Sequence, residues 1–324
     1  MPQPTLSEVH VNRPLTDLSI AYLQRRVFLA NDVFPIVPVA KKSDSYFTYP
    51  ISTFRKARAQ KRAAGAAAVR MGYSVSTSNY SCDRDALAHD IPDPIRANAD
   101  QPLNLDREAM EFLTMGLMLT REVNWCSTFF TTSTWTGSST GSDITVSPTW
   151  DVDTSTPIED VQTEIRAIEQ NTGLSPNRLV LGRKAFDDLT NHPDILDRIK
   201  YSSSPGSPAM ANEAALAALF GVERVLVARA SRDTSADGTA ASNSFIANTR
   251  SALLVYAAPT PGIMTPSGGY TFAWQATGND MGIQVKTYRN EEKLESDAVE
   301  VNLWTDDVLI SGALGSYFSN AVAA

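Results

Sequence analysis

The sequence predicts an α+β protein, and three observations carry that reading. Residues 104–130 hold a long helical signature, alternating helices and strands follow from residue 151, and the last third is written in strand pattern. A chain of 324 residues leaves room for two or more compact units of about 100–200 residues each. With 43% hydrophobic and 20% charged residues, its composition is that of an ordinary soluble globular protein. No apolar run approaches the roughly 18 residues that suggest a membrane span, and "MPQPTLSEVHVNRP" lacks a signal-peptide core, so no membrane partner and an intracellular origin are expected. Cys82 and Cys126 lack metal-ligand spacing and are expected to be buried free thiols.

Residues 1–45 hold short apolar clusters broken by Pro14, Pro35 and Pro38, with one helical piece in "DLSIAYLQRRVFLA". They read as an arm that must lie on something. From Tyr46 the pattern alternates ("YFTYPISTF"), passes through the basic "RKARAQKRAAGAAAVR" and alternates again ("VRMGYSVSTSNYS"), which predicts a hairpin over 46–82 turning near Gly65. A two-stranded ribbon is at best marginally stable alone, so it needs a partner surface, and another subunit could supply it.

In 104–130, Asn104 is the N-cap, Asp106 and Glu108 suit the helix dipole, and Leu105, Ala109, Phe112, Leu119 and Val123 keep helical spacing as a buried stripe. Met115, Leu117 and Met118 read as core filling. After a Thr/Ser/Gly connector, Thr156, Pro157 and Glu159 predict a capping box opening a helix with Ile158, Val161, Ile165 and Ile168 inward and Gly173 as its stop. Then come the strand "RLVLG", helical turns in "KAFDDLT" and "PDILDRIK", a Ser/Pro/Gly loop at 202–208, the helix "NEAALAALF" stopped by Gly221, and the strand "ERVLVARA". Five further strands are predicted in "SALLVYAA", "YTFAWQA", "MGIQVKTYRN", "DAVEVNLWT" and "DVLISGA".

Sites for chemistry are scarce. His10, His89 and His192 stand in no HExxH, HxH or nucleophile-elbow context, and "GLSPNRLVLGRK" matches neither GxGxxG nor the phosphate loop. Adjacent acids such as Asp187 and Asp188 diverge on a helix. These patterns predict no catalytic residues, no cofactor and no metal. The net charge is −8, and −14 without the six cations of 55–70, so the bulk of the chain repels a nucleic-acid backbone. No aromatic interleaves with those cations as a stacking platform would require.

The order of elements, together with "NTGLSPNRLVLGRKAFDDLTNHPDILDRIK", "EAALAALFGVERVLVARA" and the closing "SYFSNAV", resembles the major capsid proteins of tailed bacteriophages, the Hong Kong 97-like fold. The resemblance covers nearly the whole chain. It implies an N-terminal arm (1–45), an extended loop (46–82), a peripheral domain with the spine helix 104–130 (83–150), an axial domain (151–258) and a strand-rich return (259–324). It further implies hexamers and pentamers closing an icosahedral shell around double-stranded DNA packaged without sequence specificity, in a virion assembled in the bacterial host cytoplasm. Portal and decoration proteins are further partners of such shells. The chain starts directly with the arm and lacks a long charged leader, from which a separate scaffolding protein is expected.

Closed shells use heterologous contacts, and exposed arms and ribbons spread them efficiently. The acid-free loop then needs acidic receivers. The expected inter-subunit contacts are Arg55, Lys56, Arg58, Lys61 and Arg62, facing either Asp83, Asp85, Asp90 and Asp93 or Glu291, Glu292 and Glu295 with Asp297 and Glu300. Three other readings compete: an encapsulin-like compartment holding an enzyme cargo, a nucleic-acid-binding module using 55–70, and an α+β enzyme, for which no constellation appears. Some relatives cross-link a loop lysine to an asparagine of a neighbour. Lys56 and Lys61 lie in the right region, but no partner pair is identifiable, so dissociated particles are expected to run as monomer on a denaturing gel; a ladder would reverse this.

Overall fold

The computed structural model describes residues 28–98, 104–202, 211–236, 238–262, 264–275, 281–290 and 295–323. The helical piece predicted within 17–30 and the loop at 202–208 lie largely outside them. Two five-stranded sheets organise the described residues. The central sheet contains β5 (Ile144–Thr145), β6 (Arg178–Gly182), β7 (Arg224–Ala228), β10 (Ala252–Val255) and β14 (Gly315–Asn320), in the order β5-β14-β10-β6-β7. The peripheral sheet contains β1 (Ile36–Val39), β4 (Asp83–Pro92), β11 (Gly269–Trp274), β12 (Ile283–Asn290) and β13 (Ser296–Leu309), with β13 pairing β11, β12 and β4. Two small ribbons join β2 (Ser43–Thr48) to β3 (Ser76–Ser81) and β8 (Ser231–Asp233) to β9 (Asn243–Phe245).

The helices are α1 (Ile51–Phe54), α2 (Asp93–Ala97), the spine helix α3 (Leu105–Phe129), α4 (Pro157–Thr172), α5 (Arg183–Asn191), α6 (Pro193–Ser202) and α7 (Glu213–Phe220). Asn104 caps α3 as predicted, its side chain accepting from Arg107 N at 3.1 Å. Gly173 and Gly221 end α4 and α7 at φ +79° and +74°, the left-handed geometry a Cβ disfavours. The capping box of α4 does not form: Thr156 makes no side-chain cap bond, and Glu159 instead takes Arg198 at 3.0 Å.

The central sheet is buried on both faces. Leu179, Leu181, Ala252, Leu254 and Phe318 point into a core with α4, α5, α6 and α7, while Val180, Leu253, Val255 and Tyr317 point into a second core under α3. The buried residues of α3 step by four, from Ala109 through Leu113, Leu117 and Arg121 to Trp125 and Phe129. Each step of four overshoots a turn, so over this length the buried face rotates by roughly 200°. Its N-terminal half therefore packs on Val299, Val301 and Leu303 of the peripheral sheet, and its C-terminal half packs against the central one. This corrects the stripe expected from sequence, since Phe112 is 69% exposed.

Two strand predictions also change. "DAVEVNLWT" and most of "DVLISGA" form one 14-residue strand that runs through Asp306, the residue between them, with Asp306 accepting from Ser81 N and Asp307 from Thr271 Oγ1. The 46–82 hairpin pairs only at its ends, from Ser43↔Ser81 to Thr48↔Ser76. Beyond α1, the stretch 55–75 holds no regular element, as its Ala, Gly and cationic residues suit a pleated surface poorly. The turn falls where expected, with Ala66 N bonding Ala63 O and Gly65 at φ +84°.

The arm enters the fold as a single turn at 29–33, followed by Phe34, whose ring lies 4.6 Å from that of Phe129. Gly269 permits this approach, since a Cβ there would meet Phe129 at 2.7 Å. Phe34→Ala is expected to cost about 3–5 kcal/mol, measured by denaturant unfolding; a loss below about 1 kcal/mol would show that this ring does not hold the arm root.

Candidate assembly surface

β4 and β13 run antiparallel, with Pro92 opposite Ser296, Asp90 opposite Ala298 and Asp85 opposite Leu303. Asp297 and Glu300 of the second acidic segment thus lie on the strand next to the first segment. The segment read only as an acidic receiver before the spine helix is itself the edge strand β4. Within the chain, Arg289 grips Asp93, with Nη1 to Oδ1 at 2.6 Å, and reaches Asp297 at 3.2 Å. Arg96 donates to Asp106 at 2.7 and 3.0 Å and to Asp297 at 3.2 Å, and Arg84 pairs with Glu300. Asp93, Asp297 and Glu300 therefore serve the chain's own sheet. Among the described residues, Asp83, Asp85 and Asp90 make no ion pair. Burial, and then the Asp83 charge, raise the pKa of Asp85. Burial raises Asp306 also, with Asp83 adding to it against the hydrogen bond from Ser81 N. This corner favours an incoming cation. Glu295 lies at the bend before β13 at φ +40°, its carbonyl accepting from Asp93 N at 3.0 Å. Glu291 and Glu292 lie outside the described residues.

The cations divide as well. Arg55 donates to the carbonyls of Gln170 (2.6 Å) and Asn171, closing the negative end of α4 and tying the loop base to the central unit. Arg62 Nε reaches Ala66 O across the turn, and Lys56, Arg58 and Lys61 are exposed. No aromatic interleaves with these cations along the chain, but the fold gathers Tyr49, Phe54 and Tyr73 at the loop base with ring centroids 6.0–6.3 Å apart. Phe54 is 55% and Tyr73 63% exposed, and Phe47 and Met71 are exposed nearby. Beneath them a cleft of about 930 Å³ is lined chiefly by apolar groups, among them Val37, Pro50, Leu174, Phe272 and Ile310. Outside the loop, Phe112, Ile95, Val285 and Tyr288 are exposed on the spine helix, α2 and β12.

Enzyme-like pairings fail on geometry. Ser155 Oγ lies 3.1 Å from His192 Nε2, but His192 Nδ1 accepts from Asp194 N (3.3 Å), which places the ring proton on Nε2, and both residues are buried. That histidine is a turn residue fixing the start of α6, not a base for the serine. Among the described residues no cluster of three His, Cys, Asp or Glu could hold a metal, and no helix is long and apolar enough to cross a membrane. Cys82 and Cys126 are buried free thiols, as expected, with burial raising the pKa of Cys82 to about 11.

A two-sheet body with a long spine helix and an extended loop is the Hong Kong 97-like α+β fold. Residues 138–268 match the family model "Phage major capsid protein E". Two relatives are major capsid proteins: that of Burkholderia phage BcepMu is 26% identical over 200 residues (61% of this chain), and that of Pseudomonas phage JBD67 25% identical over 222 (68%). The matches span 63% and 69% of those proteins' lengths. Among solved structures, a phage-related protein from Bordetella bronchiseptica RB50 superposes at a TM-score of 0.69 with 23% identity, covering 94% of this chain and 95% of that one. The capsid of cyanophage P-SCSP1u gives 0.60 at 10% identity (95% and 91% covered), and the SrpI encapsulin of Synechococcus elongatus PCC 7942 gives 0.55 at 11% (99% and 96%). The chain is thus related to the major capsid proteins of phages.

Asp307 is half-buried on β13 near Arg121 of the spine helix, bonded by Thr271 Oγ1 at 2.6 Å, and burial raises its pKa despite that bond and the Arg121 charge. The folded state therefore holds this proton more tightly than the unfolded chain. The stabilisation is complete below the ordinary carboxylate value of 3.8 and is lost as pH rises through the elevated folded value. Asp307→Asn cannot titrate, so the melting temperature of wild type relative to this variant is expected to fall as pH rises above about 4; a flat difference would contradict the assignment.

Proposed function

We propose that this chain is a major capsid protein whose copies assemble into hexamers and pentamers of an icosahedral shell around double-stranded DNA. The observation that carries the reading is a loop with exposed cations and aromatics, on a chain whose peripheral sheet displays carboxylates that make no ion pair among the described residues. In the assembled shell the loop of one copy lies on the β4–β13 and spine-helix surface of the next, with Arg58, Lys61 and Arg62 directed at Asp83, Asp85 and Asp90. Phe54, Met71 and Tyr73 supply the apolar part of that contact. Exposed ion pairs contribute about 0.2–1 kcal/mol each, so the cations set register while the apolar groups supply affinity. A shell subunit makes several such contacts, and typical interfaces of about 1,200–2,000 Å² sum to a stable particle. DNA, scaffolding, portal and decoration proteins are the partners proposed with this role, and assembly in the host cytoplasm its setting.

The shared fold also accommodates an encapsulin-like compartment, and the contents of purified particles separate the two: double-stranded DNA supports the capsid, an enzyme cargo the compartment. Reversing Arg58, Lys61 and Arg62 to glutamate is expected to abolish closed particles, or to leave particles that fall apart at lower salt, seen by electron microscopy. Normal particles with unchanged salt resistance would sink the loop assignment.

A further inference from the structure

The arm root, residues 28–34, is held through its backbone as well as its side chains. Its single turn, with Asp32 N and Val33 N bonding Leu29 O at 2.9 and 3.1 Å, leaves two N–H groups free at one end and carbonyls at the other. A turn wedged between the spine helix and the central sheet must find partners for the backbone groups it buries there. At the N–H end Glu122 accepts from Leu29 N with both carboxylate oxygens (3.0 and 2.9 Å) and from Ala30 N at 2.9 Å. At the carbonyl end Arg178 Nη1 donates to Asp32 O and Val33 O. Arg121 Nη2 adds a long bond of 3.4 Å to Ala30 O.

The two holders belong to different bodies. Glu122 is on the spine helix, 1% exposed, while Arg178 opens β6 of the central sheet. Between them Leu29, Ala30, Val33 and Phe34 fill the space where the C-terminal half of the spine helix meets that sheet. Strand pairing of the arm begins only at Ile36, so no ladder anchors the turn itself.

We propose that Glu122 and Arg178 form a two-sided backbone clamp that seats the arm root as a separable wedge between spine helix and central sheet. Both are positioning residues. The carboxylate acts as a hydrogen-bond acceptor for the turn, with Arg121, Asp307 and Cys126 the other ionisable groups around it. Unseating the wedge opens the joint while leaving the ladders of each sheet intact. The inference concerns the single chain and stands independently of the shell reading.

The test is amide hydrogen exchange on the full-length, unassembled chain, comparing wild type with Glu122→Ala and Glu122→Gln. Gln keeps an acceptor oxygen that can serve Leu29 and Ala30, whereas Ala keeps none. Exchange of 28–34 is expected to accelerate about tenfold or more in Glu122→Ala and to stay within about threefold of wild type in Glu122→Gln, with β6 and β10 unchanged in both. Should Glu122→Ala fail to fold, Arg178→Met is read the same way from the other side. Unchanged exchange at 28–34 in the variant read, loss of protection in β10 together with 28–34, or Glu122→Gln behaving like Glu122→Ala would each overturn the proposal.

Discussion

The joint between the two sheets depends on burying a backbone turn. A turn of arm, not a strand or a helix, fills the gap beside the C-terminal half of the spine helix, and the backbone groups it buries there need partners. Glu122 and Arg178 meet this requirement from opposite sides, and their charges suit the ends they face: carboxylate to N–H, guanidinium to C=O. Their placement then fixes Phe34 against Phe129, Trp125 and Trp135, the aromatic cluster that closes the second face of the central sheet. Burying Arg121 and Glu122 is costly, and the rise of the Glu122 pKa through burial shows where the cost falls.

The spine helix makes the molecule one body because its buried face rotates. A helix whose inward residues recurred on a straight line would serve one sheet only. By stepping in fours, α3 hands its packing from Val299 and Val301 of the peripheral sheet to Leu253 and Val255 of the central one. The loop is tied in at its base, where Arg55 closes the end of α4, while its distal cations and aromatics remain exposed. A rigid body with a tethered but exposed loop is the mechanical arrangement that shell assembly uses in the function proposed here.

Electrostatics on the peripheral sheet follows from strand pairing. Antiparallel β4 and β13 concentrate carboxylates along one edge, which also discourages indiscriminate edge-to-edge pairing. Arg84, Arg96 and Arg289 neutralise part of this charge internally; among the described residues Asp83 and Asp85 remain as a negative corner at one end of β4, with Asp90 on the opposite face of the strand. Sequence reading named these residues but could not divide them, because Arg289 lies nearly 200 residues from Asp93 along the chain.

Local signals determined much of the protein. Asn104, Gly173 and Gly221 act on backbone groups within a turn of themselves, so the ends they mark stand where the sequence places them, as do the turn at Gly65 and the strands "RLVLG" and "SALLVYAA". The order of elements, with the segments at 171–200 and 213–230 and the closing "SYFSNAV", pointed to the shell fold. Tertiary structure decided whatever rests on long-range pairing. Thr156 lost its capping box because Glu159 found Arg198, and two predicted strands joined through Asp306, where Ser81 meets it. The loop kept only the paired ends of its hairpin, and Phe112 turned outward because the packing face of its helix rotates between two sheets. In each case the deciding partner is remote in sequence, so its contribution exists only once the chain has folded.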